Sequence, residues 1–193
     1  MSTADRLLSR IRAEGPIPLA DFMAEAVADY YRRPRVFGAA GDFVTAPEVS
    51  QIFGELIGVW LALRWRAMGA PARVVLAECG PGRGTLIADA LRAAALVPGF
   101  DDAVDLHLVE TSPVLRETQG QALGGRAAAW HDDIATLPTD APLLLLGNEF
   151  LDALPIRQAV FRQGRWRERC VGHDGRDFVF ADGAERAPDA GFL

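Results

Sequence analysis

The stretch RVVLAECGPGRGTLIADALRA, Arg73 to Ala93, decides the fold. Four apolar residues, Val74, Val75, Leu76 and Ala77, run into an acid, Glu78. A tight glycine-rich turn follows, with Gly80, Pro81, Gly82 and Gly84, and then Thr85 opens an amphipathic segment. The pattern predicts a buried strand, a turn and a helix, the layout of a nucleotide-type cofactor site. Glycine lets backbone approach a ligand where a Cβ would collide, and a helix start offers free N–H groups. The dinucleotide fingerprint G-x-G-x-x-G requires its third glycine three places after the second. Thr85 stands at that place, and the spacing here is G-x-G-x-G.

Outward from this segment, Thr3 to Ala13 and Leu19 to Ala28 read as two helices separated by GPIPL. Residues Tyr30 to Gly41 read as a loop. Thr45 and Glu48 have capping-box spacing, with Pro47 in the first turn. Val49, Ile52, Phe53, Leu56, Trp60 and Leu63 recur at helical spacing, so one long helix is expected from Pro47 to Met68, with that stripe as its apolar face. Beyond the glycine turn, strands are expected at Val104–Val109, Arg126–Trp130 and Pro142–Leu146, with a Ser112-Pro113 helix start between the first two. IRQAVF and WRERCVG flank Gly164 as a β-hairpin, and DFVF at Asp177 adds a strand. The expected fold is therefore α/β: a mostly parallel, Rossmann-like sheet with an N-terminal helical extension and a β-hairpin after strand four. Residues 1–46 are expected to form the helical extension and a lid loop, and residues 47–193 the Rossmann-like domain.

Composition narrows the function classes. Half of the 193 residues are hydrophobic, enough for a core, and a net charge of −6 argues against a broad nucleic-acid surface. Cys79 and Cys170 are far apart, with neither zinc spacing nor a disulfide framework, so no metal site is expected and a reducing compartment suits them. LLLLG at Leu143 to Gly147 is far too short to span a membrane. MSTADRLLSRIRAEG lacks a secretory apolar region, and its Asp5 and Glu14 disfavour a mitochondrial presequence. The expected compartment is the bacterial cytoplasm, or the mitochondrial matrix for a eukaryotic chain.

In such sheets ligands bind beyond the carboxyl ends of the strands, and here those ends are polar. An acid two residues before G-x-G-x-G resembles motif I of the class I S-adenosylmethionine (SAM) methyltransferases. Under that resemblance Glu78 would hold the glycine turn or a water near the methionine amine. Glu110, closing the second strand, can accept two hydrogen bonds from ribose hydroxyls, or else serve as a cap before Ser112. Asp132, or alternatively Asp133, closes the third strand and could accept from the adenine amine, with Trp130 or Ile134 near the ring.

The fourth strand ends in GNEFLDALP, Gly147 to Pro155, where the methyl acceptor would lie. Methyl transfer is an in-line displacement that needs a free lone pair and close approach. An arginine acceptor is charged and its lone pairs are delocalised, so a carboxylate must grip its N–H groups and bias charge away from the attacking nitrogen. Glu149 is placed for this and Asp152 follows three residues on, although a strand-terminal charge and a turn former would look the same.

GDFVTAPEVSQIFGELIGVW, LAECGPGRGTL, LHLVETSP and NEFLDALPIRQ, in that order, resemble the MidA-like family over nearly the whole chain. That family includes the assembly-factor methyltransferase of mitochondrial respiratory complex I. The resemblance implies a SAM-dependent protein-arginine methyltransferase forming symmetric dimethylarginine on a complex I core subunit. It places the glycine loop on Gly80, Gly82 and Gly84, the second-strand acid on Glu110, and the catalytic segment on Asn148, Glu149 and Asp152. The leading signature, with Thr45, Pro47, Glu48, Ser50 and Gln51, is expected to lid the cofactor pocket or contact substrate. ADYYRRPRVFG is shorter than the family's corresponding segment and carries Asp29 before Tyr30. Family members are also much longer, which implies that later strands and much of the acceptor half lie outside this chain. A half-built sheet is expected to aggregate or to dimerise. A small-molecule SAM methyltransferase, or a non-catalytic assembly or binding module, are the alternatives.

Overall fold

The computed structural model describes residues 1–30 and 45–185. In chain order these form α1 (Thr3–Glu14), β1 (Ile17–Pro18), α2 (Leu19–Tyr30), α3 (Ala46–Val49), α4 (Gln51–Ala67), β2 (Val74–Cys79), α5 (Thr85–Ala94), α6 (Phe100–Ala103), β3 (Val104–Val109), α7 (Pro113–Ala122), β4 (Ala129–His131), β5 (Leu143–Leu146), β6 (Ala159–Arg162), β7 (Arg165–His173) and β8 (Phe178–Glu185). The chain divides into two compact units: the described residues of Met1–Pro34 with Asp152–Leu193, and those of Arg35–Leu151.

The Arg35–Leu151 unit is built on a parallel sheet in the order β4-β3-β2-β5. β2 pairs with β3 from Val74↔Val104 to Cys79↔Val109, and with β5 from Val75↔Leu143 to Glu78↔Leu146. Every β2 residue is buried, as an uninterrupted apolar run requires of a strand covered on both faces. Leu61, Trp65, Leu76, Ile87, Phe100 and Leu108 belong to the main core on one face of the sheet. Trp65 also donates from Nε1 to the Pro71 carbonyl at 2.9 Å.

The segment before β2 departs from expectation in three ways. The single helix expected from Pro47 to Met68 is two, because Ser50 is extended (φ −147°, ψ 119°) and breaks α3 from α4. The capping box does not form, since Thr45 makes no side-chain cap. Most of the stripe expected to be the packing face is turned outward: Ile52, Leu56 and Trp60 are 63, 65 and 52 % exposed, Val49 and Leu63 are exposed too, and Phe53 is half-buried. The buried face instead carries Gly54, Gly58, Leu61, Ala62 and Trp65. Close helix approach explains the reversal. A Cβ at Gly58 would sit 2.0 Å from the Ala90 carbonyl oxygen of α5, and one at Gly54 would sit 2.6 Å from Asp89 Cβ. Residues without side chains can therefore define the buried face, while the large apolar ones stay outside. The third strand is also shorter than expected, at Ala129–His131, and pairs only with His107–Val109.

The other unit joins the two helices at the start of the chain to its last three described strands. Ser2 and Asp5 make a reciprocal capping box at α1. Arg10 of α1 then reaches Glu14 (3.1 Å), Asp21 (2.6 Å) and Glu25 (3.3 Å). β7 pairs antiparallel with β6, β8 and β1, the last through Ile17↔Val171 and Pro18↔Cys170. Gln163 and Gly164, both at positive φ (53° and 77°), close the expected hairpin as the twist of antiparallel strands demands. Leu7, Ile11, Ile17 and Val171 form the core of this unit.

Gly58→Val is expected to lower stability by roughly 1–3 kcal/mol or more, because the inserted side chain must push α4 off α5. Leu56→Asn on the exposed stripe is expected to be nearly neutral. Urea denaturation of both variants checks this, and an unchanged midpoint for Gly58→Val would rule out the tight α4–α5 contact.

Candidate functional site

The turn after β2 is left-handed at all three expected glycines, with φ of 62° at Gly80, 55° at Gly82 and 82° at Gly84. Side chains rarely tolerate that conformation, so the loop requires glycine for its shape alone. Gly80 continues the β2–β3 ladder by donating to the Val109 carbonyl at 3.0 Å, and Gly84 donates to the buried Pro81 carbonyl at 2.8 Å. Gly84 caps α5 without any side-chain cap. A Cβ at Gly80 would lie 2.7 Å from the Phe150 ring, so the segment after β5 packs onto this loop.

Glu78 lies at the end of β2, 2 % exposed, and its Oε2 has no hydrogen-bond partner. Burial pushes its carboxyl up to about 8, since the charged form has lost its hydration. Buried polar atoms are ordinarily paired, so an unpaired carboxylate oxygen under a glycine loop asks for a donor from outside the chain. A ligand ammonium group fits that requirement.

Gln119 of α7 is fully buried, and no sequence motif marks it. Its Nε2 donates to the Gly82 carbonyl at 2.8 Å and to Glu110 Oε2 at 3.3 Å, and its Oε1 accepts from Trp130 Nε1 at 2.8 Å. One amide thus joins the glycine loop, the acid after β3 and the aromatic of β4. Its sequence signal is slight: a polar residue seven places after Ser112, on the side of the helix that also carries Arg116. Glu110 spends Oε1 on the Ser112 amide at 2.8 Å, so the capping role and a ligand role are both present in its geometry. A carboxylate has about four lone-pair sites, and two remain. Arg116 binds the Glu110 carbonyl through Nε at 2.7 Å and through Nη2, and reaches Asp132 Oδ1 at 2.5 Å. Asp133 is occupied as a cap, accepting from the Ala135 amide at 2.8 Å. Of the two acids, Asp132 is the one in the Arg116 network. Trp130 packs on the core, which leaves the exposed Ile134 as the apolar side chain of that turn.

Glu48 accepts from Thr85 Oγ1 at 3.0 Å and lies 3.5 Å from Arg83 Nη1, so the leading signature meets the glycine turn and the start of α5. Pro47 is buried beside it in α3. Gln51 is not part of this contact and instead donates to Glu55 at 2.8 Å. Thr45 and Ser50 supply backbone turns, with no side-chain cap at either. The loop expected at Tyr30 to Gly41 lies outside the described residues, apart from Tyr30 at its edge.

After β5, Asn148 is half-buried and Glu149 is exposed with φ 48°. A left-handed glutamate is uncommon and costs local strain. Phe150, the next residue, packs beneath Gly80 with Cys79, Val109 and Leu137 nearby. Asp152 begins the other unit, in a 3-10 turn at Leu151–Ala153.

A parallel sheet with a left-handed glycine loop at the end of its central strand and an acid after the next is a Rossmann-like cofactor-binding domain. The family of S-adenosyl-L-methionine-dependent methyltransferases matches residues 56–191, and the chain belongs to it. A fruit-fly (Drosophila melanogaster) relative, the mitochondrial protein arginine methyltransferase NDUFAF7 homolog, is 37 % identical over 96 % of this chain and 47 % of its own. The human protein arginine methyltransferase NDUFAF7 is 33 % identical over 87 % of this chain and 44 % of its own. A crystal structure from Burkholderia thailandensis, bound to S-adenosyl-homocysteine, superposes with a TM-score of 0.78 at 32 % identity, covering 98 % of this chain and 51 % of that one. The chain therefore spans about half the length of these relatives. Among the described residues no helix is long and apolar enough to cross a membrane.

The raised Glu78 carboxyl has a stability consequence. The folded state keeps its proton up to about pH 8, whereas the unfolded chain loses it near 4.5. Over that interval the native state binds more protons, so stability falls as pH rises from about 4.5 to 8 and levels off above. Glu78→Gln is expected to remove this slope and to leave the ligand-free protein more stable at pH 8, by up to a few kcal/mol. Thermal melts of both proteins at pH 5 and pH 8 check it, and parallel pH dependences would contradict it.

Proposed function

We propose that this chain binds SAM in the Arg35–Leu151 unit and serves arginine methylation of a protein substrate. The observation that carries the reading is the buried Glu78 carboxyl, with its Oε2 unpaired, in the chain segment that runs into three left-handed glycines. Bound there, SAM would supply an electrophilic methyl group on a sulfonium. Glu78 would pair with its ammonium, directly or through a water, and Gly80, Gly82 and Gly84 would give it room. Glu110, already oriented by Gln119 and Ser112, would accept from the ribose hydroxyls. Asp132 would accept from the adenine amine. The S-adenosyl-homocysteine in the structural neighbour and the methyltransferase family support this reading.

Arginine as acceptor is supported by the protein arginine methyltransferases among the relatives and by Glu149. A guanidinium donates hydrogen bonds and has no ready lone pair, so the site needs an acceptor near the reacting methyl. Glu149, at φ 48° directly before the Phe150 that packs on Gly80, would, with Asn148 beside it, grip two N–H groups. Asp152 would assist or merely shape the turn. The specific acceptor, a complex I core subunit, and symmetric dimethylation follow from the family resemblance and form the finer part of the proposal.

Calorimetry with SAM, S-adenosyl-homocysteine and NAD tests the cofactor. SAM and its product are expected to bind and NAD is not, and tight NAD binding alone would reverse the assignment. Glu110→Ala is expected to weaken SAM by about 1.5–3 kcal/mol, the scale of hydrogen bonds to a charged group.

Glu149→Gln is expected to leave S-adenosyl-homocysteine affinity within about twofold and to reduce methylation of an arginine peptide by about 100-fold, as loss of one preorganised charged contact does. Mass spectrometry of the peptide reads this. Unchanged turnover would remove Glu149 from the acceptor site, and cofactor binding without any turnover in the wild type would favour a binding module.

A further inference from the structure

A line of hydrogen bonds runs from the strands of the parallel sheet into the turn after β4. His107 of β3, 5 % exposed, approaches His131, the last residue of β4, with 2.8 Å between its Nδ1 and His131 Nε2. His131 Nδ1 is 2.8 Å from Thr136 Oγ1, and that hydroxyl donates to the Asp133 carbonyl at 2.7 Å. At the other end His107 Nε2 lies 3.2 Å from Asp105 Oδ2, an electrostatic approach without a well-directed hydrogen bond. Arg73 anchors Asp105 at 2.7 Å. The line therefore ends in the turn that holds Asp132 and Ile134.

We propose that His107 and His131 are positioning residues that fix the Asp132–Thr136 turn in the shape that receives the adenine ring. This rests on the reading of the unit as a SAM site. The hydrogen bonds set the tautomers. Thr136 gives its proton to the Asp133 carbonyl, so its oxygen must accept from His131 Nδ1–H. His131 Nε2 is then bare and accepts from His107 Nδ1–H. A further proton on His131 Nε2, with His107 keeping its Nδ1–H, would set two N–H groups face to face at 2.8 Å, and the pair would separate. The His131 ring would swing and release Thr136, and with it the turn.

The charges around the pair are Arg73 ahead of β2, Asp105 and Glu110 on and after β3, Arg116 on α7, and Asp132 and Asp133 in the turn itself. Burial first, then His107 and Arg116, hold His131 below the ordinary histidine range. The folded turn thus favours neutral His131, and the positioning is lost as pH falls below about 6.5 through its lowered pKa.

The test is calorimetric titration with S-adenosyl-homocysteine between pH 5 and 7.5, using wild type, His131→Gln and His131→Phe. Glu78 adds the same pH slope to all three, so the ratio of wild-type to variant affinity isolates His131. His131→Gln keeps an acceptor for His107 Nδ1–H and does not titrate. It is expected to bind within about threefold of wild type at pH 7.5 and to overtake it as the pH falls to 5. His131→Phe keeps the ring and loses both hydrogen bonds, with an expected loss of about tenfold at pH 7.5. A wild-type to Gln ratio constant across this range would overturn the proposal, as would wild-type affinity in His131→Phe. Should the Phe variant fail to fold, the Gln comparison still decides. Absence of binding by the wild type at pH 7.5 would instead overturn the cofactor reading itself.

Discussion

The site depends on the burial of one amide. Gln119 is the only residue whose side chain touches the glycine loop, the acid after β3 and the aromatic of β4 together among the described hydrogen bonds. A buried amide must be paired or it costs on the order of 1–3 kcal/mol. That cost constrains Gly82, Glu110 and Trp130 at once, because a shift in any of them leaves a donor or acceptor of Gln119 unmet. The loop is thereby kept in its left-handed shape by a neighbouring helix as well as by glycine chemistry. Arg116, one turn earlier on α7, does the same for the Glu110 carbonyl and Asp132. A single helix thus orients two successive strand ends.

Polar groups around the loop fall into two kinds. Glu110, Asp132 and Glu48 are each held by donors of the chain, Gln119, Arg116 and Thr85, and their geometry is set before any ligand arrives. Glu78 is the opposite, buried with an oxygen unmet and its charged form disfavoured. Preorganised acceptors bring specificity at little reorganisation cost, whereas an unmet carboxylate stores free energy that a cationic partner can release.

The strand, turn and helix around Gly82 were legible because their chemistry is local: an apolar run, positive-φ glycines and an acid at the strand end. The acids at 110 and 132 were legible for the same reason, as strand-terminal positions follow from strand positions. Hydrophobic periodicity fails at α4 because it weighs large side chains, while the buried face there is defined by Gly54 and Gly58 and the nearness of Ala90. The T-x-x-E spacing of Thr45 and Glu48 was real, but tertiary partners 37 residues away outbid the local cap. His107 and His131 were invisible as a pair because only the register of β3 against β4 brings them together. Gln119 was hidden by being one polar residue on an otherwise ordinary helix.

The pairing of Ile17 with Val171 joins residues about 150 positions apart, across the whole parallel-sheet unit. A ribosome delivers Ile17 long before its partner exists. α1 and α2 must therefore wait, with Leu7, Ile11 and Ile17 uncovered, while the intervening unit, whose described strands pair with one another, is synthesised. Chain order thus separates the two units in time: the nested one can close during translation, and the one assembled from both flanks cannot close until residue 171 has emerged.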